Sequence, residues 1–241
     1  MYVAPEEFRS NRREGVEMII AERKSLDRIL ENIKPFKKVL VLGCRTCVAV
    51  CLAGGEKEAE DLARTIDLKN KKEGNDVQVD FASLERQCEF EFVEDFEEEL
   101  KDYDVILSMA CGAGPQTIVV KYPEVKVLTA VNTTFIGMPK EQGVWVEQCV
   151  ACGDCELDKT MGICPITKCS KSMMNGPCGG SQDGKCEIDK ELDCGWHLIY
   201  ERLKELGMSD RMSTFEPPKD WSTSHSGGPR KQVREDVELE R

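Results

Sequence analysis

The chain has 241 residues, with 45 acidic against 33 basic side chains and a formal net charge of −12. That balance argues against a nucleic-acid or anionic-membrane surface, and the length allows one proper core, with two domains the expected count. There are thirteen cysteines, no apolar export signal in residues 1–15 and no run long enough to span a bilayer. A cytoplasmic, reducing setting is therefore expected, where thiols act as metal ligands and not as disulfides.

Residues 5–33 are charged, with an apolar stripe at Val16, Ile19, Leu26, Leu30 and Ile33. The spacing predicts an amphipathic helix, packed on its own domain or docked on a partner subunit, and sets residues 1–34 apart. Residues 38–43 (KVLVLG) form a continuous apolar strand of the buried parallel kind. It runs into Cys44, Cys47 and Cys51 and then a helical pattern ending near Leu68. A weaker strand is expected over 77–81, and the acidic stretch 89–102 reads as a solvated helix with Phe and Leu turned inward. A third strand (103–109) closes on Ala110-Cys111-Gly112-Ala113-Gly114, a short helix starts at Pro115, and a fourth strand covers 125–131.

Strands alternating with helices predict an α/β fold: an open, mostly parallel, Rossmann-like sheet over residues 35–142. A small irregular cysteine-rich iron–sulfur module follows over 143–207. Its closing helix carries Trp196, Leu198, Ile199, Leu203 and Leu206, with Gly207 as the C-terminal cap. Residues 208–241 read as an extended polar tail, mobile or held by a partner.

Two groups of thiols carry the chemistry. Cys47 and Cys51 are one helical turn apart, and Cys44 precedes them at the carboxyl end of the first strand. With strands in the order 2-1-3-4, Cys111 falls beside Cys44, and four thiols share the crevice at the sheet's carboxyl edge. A helix N-terminus there favours an anionic cluster, and Gly112 and Gly114 would let backbone approach its sulfurs. The competing readings are small core cysteines and a nucleotide site, but the G-x-G-x-x-G that phosphate needs does not occur. Cys88 has no companion at ligand spacing and reads as structural.

The second group lies in residues 148–196, which hold eight cysteines among Gly, Asp, Lys and Pro. So little apolar material cannot form a sizeable core, and a metal is expected to supply the missing stability. Cys149, Cys152 and Cys155 have the C-x2-C-x2-C spacing that wraps thiolates around a [4Fe–4S] cluster, whereas zinc sites more often use separated C-x2-C pairs. Cys164, followed by Pro165, is the favoured fourth ligand and Cys169 the alternative. Cys178, Cys186 and Cys194, with the remaining member of that pair, could hold a second cluster or a structural zinc. His197 reads as packed or exposed. The turn in residues 175–180 (NGPCGG) suits backbone amides directed onto sulfur, or a plain surface turn.

The strings CxxCGxC, GICPxxxCxKxxxNGPCGG, GxCE and CxWxxIYxRL resemble the methylenetetrahydrofolate reductase C-terminal domain family, which includes iron–sulfur (MetV-type) small subunits of the bacterial reductase. They fall on Cys149, Cys152, Gly153 and Cys155; on Gly162, Ile163, Cys164, Pro165, Cys169, Lys171 and residues 175–180; on Gly184, Cys186 and Glu187; and on Cys194, Trp196, Ile199, Tyr200, Arg202 and Leu203. The first half, with Cys44, Cys47 and Cys51, is similar to the first domain of such subunits, less distinctively. The resemblance implies an electron-transfer subunit with at least two [4Fe–4S] clusters. It would pass electrons from a donor such as ferredoxin or a nicotinamide-oxidising subunit to the flavin of a TIM-barrel catalytic subunit, which reduces methylenetetrahydrofolate to methyltetrahydrofolate in the acetyl-CoA pathway of anaerobes. No side chain here would then act as acid, base or nucleophile. A zinc-stapled scaffolding subunit is the reading from another class, and an independent enzyme using the sheet crevice is a third.

Overall fold

The computed structural model describes residues 19–233. The chain divides into two compact units, Met1–Val146 and Glu147–Arg241. The elements of the first are β1 (Ile19–Arg23), α1 (Leu26–Ile33), β2 (Lys38–Cys44), α2 (Cys47–Val50), α3 (Glu56–Glu73), β3 (Gln78–Leu84), α4 (Phe90–Glu94), α5 (Glu97–Lys101), β4 (Val105–Ser108), α6 (Ala113–Lys121), β5 (Val127–Thr129) and β6 (Val131–Glu141). From it β7 (Val144–Cys149) carries the chain out.

A four-stranded sheet, in the order β3-β2-β4-β5, is parallel throughout. In the sheet's own count that is the expected 2-1-3-4. Side chains of β2 alternate faces, as the strand repeat dictates. Val39 and Val41 join a core with Ile29 and Ile33 of α1 and Ala59, Leu62, Ala63 and Ile66 of α3. Leu40 and Leu42 join the opposite core with Val93 of α4, Leu100 of α5 and Ile118 of α6. Both faces are thus covered, which explains why β2 and β4 read as unbroken apolar runs.

A second sheet, in the order β1-β6-β7, has β1 antiparallel to β6. This sheet corrects the sequence reading at both of its ends. The helix expected over 5–33 is a helix only in Leu26–Ile33, whereas Ile19–Arg23 is a strand, and residues 5–18 lie outside the described residues. A seven-residue step from Ile19 to Leu26 fits a helix face, but the β-branched pair Ile19-Ile20 favours extended backbone. A register shift between Ile20 and Ala21 lets both neighbours be buried.

The strand expected over 125–131 ends at Thr129. After Ala130 the chain enters β6 in the other sheet. The acidic stretch 89–102 forms two short helices, and the pattern after Cys47 is one turn, then Gly54-Gly55, then α3. At Gly54 a Cβ would stand 1.9 Å from the Met109 carbonyl oxygen, so the glycine is what lets this crossover approach the end of β4.

The second unit has little regular structure: one turn, α7 (Pro165–Lys168), and α8 (Gly195–Glu205). Its core is small, with Cys194, Trp196, Ile199 and Leu203 packed against Met161, Ile163, Cys169, Met208 and Met212. Gly207, at φ +68, follows α8 as expected. The segment read as an extended polar tail, mobile or held by a partner, is instead folded on this unit through residue 230, with 3-10 turns at Ser209–Ser213, Trp221–Thr223 and His225–Gly227. No helix among the described residues is long and apolar enough to cross a membrane.

Candidate functional site

The parallel sheet places the first group of thiols at its carboxyl edge. Cys44 is the last residue of β2, its Sγ 3.6 Å from Thr46 Oγ1. Cys111 follows β4, with its carbonyl accepting from Gly114 N–H at 3.0 Å. Cys47 opens α2 and Cys51 caps it, still bonded to the Cys47 carbonyl at 3.3 Å. Cys51 is turned into the core: its thiol lies 3.8 Å from the Ala21 carbonyl oxygen and 3.6 Å from that of Val48. Burial pushes that thiol up from its ordinary range, the charge of Cys47 adding a little.

Cys88, read as structural, lies on the same side of the sheet's edge as part of this group. The residue is exposed, yet it stands within electrostatic reach of Cys44 and Cys111, and its thiol is held above the usual range by partial desolvation first and then by those two neighbours. Arg86, paired with Glu89 at 2.6 Å, reaches Cys47 and Cys88 electrostatically and supplies positive charge to the group. The residue that fixes this edge is Gln87, fully buried. Its Nε2 donates to the carbonyls of Leu42 and Gly43 at 2.8 and 2.9 Å, and Ser108 Oγ donates to its Oε1 at 2.6 Å. Gln87 therefore clamps the ends of β2 and β4, from which Cys44 and Cys111 project. Gly114 also makes room for that clamp, since a Cβ there would stand 2.7 Å from both Gln87 Cβ and Ala110 Cβ. Nothing in the polar string 85–89 (ERQCE) marks Gln87 as buried.

In the second unit the C-x2-C-x2-C loop leaves β7 with Ala151 at φ +52 and Gly153 at φ +90. Ala151 N–H donates to Cys149 Sγ at 3.2 Å. Backbone that alternates in this way forms a nest of amides suited to anions, thiolate sulfur included. Cys164 caps α7, and Pro165 takes its first position, where the missing N–H costs nothing. That turn is tied to the residues just before Cys149: Thr167 Oγ1 donates to the Gln148 carbonyl and Lys168 Nζ to that of Glu147, at 3.3 and 2.6 Å. Lys168 is held below its ordinary range by burial, with Cys164 opposing the shift.

Around the remaining thiols the contacts are local. Cys178 Sγ lies 3.8 Å from Glu187 Oε1, a carboxylate also paired with Lys171, and Cys186 Sγ lies 3.6 Å from Ser170 Oγ. Backbone N–H at Ile188 and then the Ser170 hydroxyl pull the Cys186 thiol down from its usual range. Cys194 is buried as the cap of α8, its N–H bonded to the Gly184 carbonyl. A Cβ at Gly184 would stand 2.9 Å from His197 Cδ2, so that ring packs on backbone. Cys169 lines the small core.

All thirteen thiols are unpaired. Among the described residues, no three His, Cys, Asp or Glu side chains are gathered as a group able to hold a metal. The donor type is nevertheless the one an iron–sulfur cluster takes: thiols, one sulfur already receiving a backbone N–H, with Arg86 and Lys168 within electrostatic reach of others. No curated protein and no solved structure matches the chain. A family model described as methylene-tetrahydrofolate reductase C terminal matches residues 128–222, a span holding all eight cysteines of the second unit, so that stretch is similar to this family.

Proposed function

We propose that the chain is the iron–sulfur electron-relay subunit of a methylenetetrahydrofolate reductase complex. It passes electrons from a donor such as ferredoxin or a nicotinamide-oxidising subunit to the flavin of a separate catalytic subunit. The observation that carries this reading is the C-x2-C-x2-C loop, with its left-handed residues and its N–H to sulfur bond, lying inside the family match. Cys149, Cys152, Cys155 and Cys164 would hold one cluster. Cys44, Cys47, Cys51 and Cys111 would hold another, for which Cys51 would have to turn out of the core. Cys169, Cys178, Cys186 and Cys194 would ligate a further cluster or a zinc. A bound cluster supplies one-electron chemistry with little reorganisation, tuned by hydrogen bonds and burial. The chain's own part is to hold thiolates in place, give amides to their sulfurs and keep cations close.

Iron and acid-labile sulfide analysis of the untagged, oxygen-protected protein tests the reading. Enough iron for at least two clusters is expected, with a brown colour that dithionite bleaches and a flavoprotein that co-purifies. Stoichiometric zinc without iron would replace the relay by a scaffold. For the first site, Cys44→Ser or Cys111→Ser is expected to remove roughly one cluster's worth of iron, and unchanged iron in both variants refutes that ligand set.

A further inference from the structure

The C-terminal segment is bound to the C-x2-C-x2-C loop by three side-chain donors, each on a backbone carbonyl. Arg230 Nη1 donates to Ala151 O at 2.6 Å, Thr223 Oγ1 to Cys152 O at 3.0 Å, and Lys219 Nζ to Asp154 O. The Lys219 side chain is 1% exposed, with Asp154 Oδ2 and Glu156 Oε1 at 3.5 and 3.6 Å and the Trp221 ring 5.7 Å away. Glu156 is itself buried and shared with Lys159 at 2.8 Å. The segment can lie this close only because residue 153 is glycine: a Cβ there would stand 2.2 Å from the Thr223 carbonyl oxygen.

Which carbonyls are held has a geometric consequence. Every described peptide bond is trans, and across a trans peptide the C=O and the following N–H point in opposite directions. Drawing the carbonyls of Ala151, Cys152 and Asp154 toward the segment turns the N–H groups of Cys152, Gly153 and Cys155 away from it. Among the described residues none of these three N–H groups has a protein acceptor. They join the N–H of Ala151, which already donates to Cys149 Sγ, as donors offered to anionic sulfur.

We propose that residues 219–230 form a strap that holds this loop in its thiolate-binding conformation, with Lys219, Thr223 and Arg230 as positioning residues for the metal. The proposal rests on the metal reading given above. It assigns a role to a stretch whose composition resembles a free tail.

Cobalt(II), added without oxygen to the full-length metal-free chain, is a direct probe through its sulfur-to-cobalt absorption. The part of the band lost in Cys152→Ser defines the loop. Thr223→Val combined with Arg230→Gln is expected to weaken that part roughly 10–100-fold, the usual effect of removing groups that orient ligands. Lys219→Met should act similarly, while Lys219→Arg retains most of the affinity. Amide exchange over residues 149–156 of the metal-free chain is read in parallel and should quicken at least roughly tenfold in the double variant, as its local opening cost falls. Unchanged cobalt affinity, or unchanged exchange, in the double variant overturns the strap. A wild-type chain that takes no cobalt overturns the metal reading and with it the thiolate role, whereas faster exchange in the variant would still establish the strap as structure.

Discussion

Residues 19–146 enclose two apolar cores on either face of a parallel sheet, whereas residues 147–233 enclose one small cluster around Trp196, Ile199 and Leu203. The first unit places its thiols at the rim of a structure that aliphatic side chains already hold together. The second has eight cysteines on a chain of turns, with side chains of opposite charge and three backbone-directed donors closing its main loop. On the metal reading proposed above, the first unit would order its thiols before any metal arrives, and the second would depend on the metal for much of its order.

On that reading, stripping the metal should separate them most sharply. In hydrogen exchange on chelator-treated protein, amides of β2 and β4 are expected to stay protected while those of residues 149–194 lose most of their protection. Equal loss in both units would break the contrast. Next in size, Leu107→Ala removes a fully buried side chain from β4 and should cost about 2–5 kcal/mol in urea unfolding of the first unit. The second unit's exchange should change little. Gln87→Leu should come third, at about 1–3 kcal/mol, because it strips the Leu42 and Gly43 carbonyls and the Ser108 hydroxyl of a buried partner. If Cys88 approaches Cys44 and Cys111 only because the clamp holds, its alkylation rate should rise in the same variant.

The smallest effect is electrostatic and belongs to the first unit alone. Backbone N–H groups of Lys37 and Lys38 donate to Asp104 Oδ2 at 2.8 and 2.9 Å and hold that carboxyl below its ordinary range. A depressed carboxyl adds stability that is fully present above the unfolded value, near 4, and is lost as pH falls through the folded one. Asp104→Asn should therefore flatten the acid limb of the stability profile below about pH 4 and leave neutral pH nearly unchanged. A parallel acid limb in the variant would show that other carboxylates set it.

What the sequence made legible follows from which forces write themselves into residue order. The doubly covered sheet was readable because burial on both faces demands continuous apolar runs, as at Val39, Leu40, Val41 and Leu42. The position of Cys44 and Cys111 at one edge then followed from strand order alone. The second sheet was harder. Ile19 and Ile20 share their spacing with a helix face, so the strand there was not told apart from a helix. Gln87 and the 219–230 segment were not readable at all. Each acts by donating to distant backbone carbonyls, and a carbonyl is the same at every residue, so no side-chain pattern records the pairing. That Cys88 comes within electrostatic reach of Cys44 and Cys111 was likewise not readable, because spacing along the chain says nothing about a thiol delivered by a different crossover.

Ala130 joins the two sheets of the first unit through a single peptide. Its N–H donates to Ser108 O and its O accepts from Lys24 N–H, both at 2.8 Å, and it is fully buried. One residue on, β6 begins, and Thr133 Oγ1 accepts the N–H of Gly112 at 2.8 Å. The small sheet therefore has no slack of its own: sliding it by one position would drag the end of β4 and misalign the neighbour of Cys111. Strain applied at that outer hairpin would be felt at sulfur.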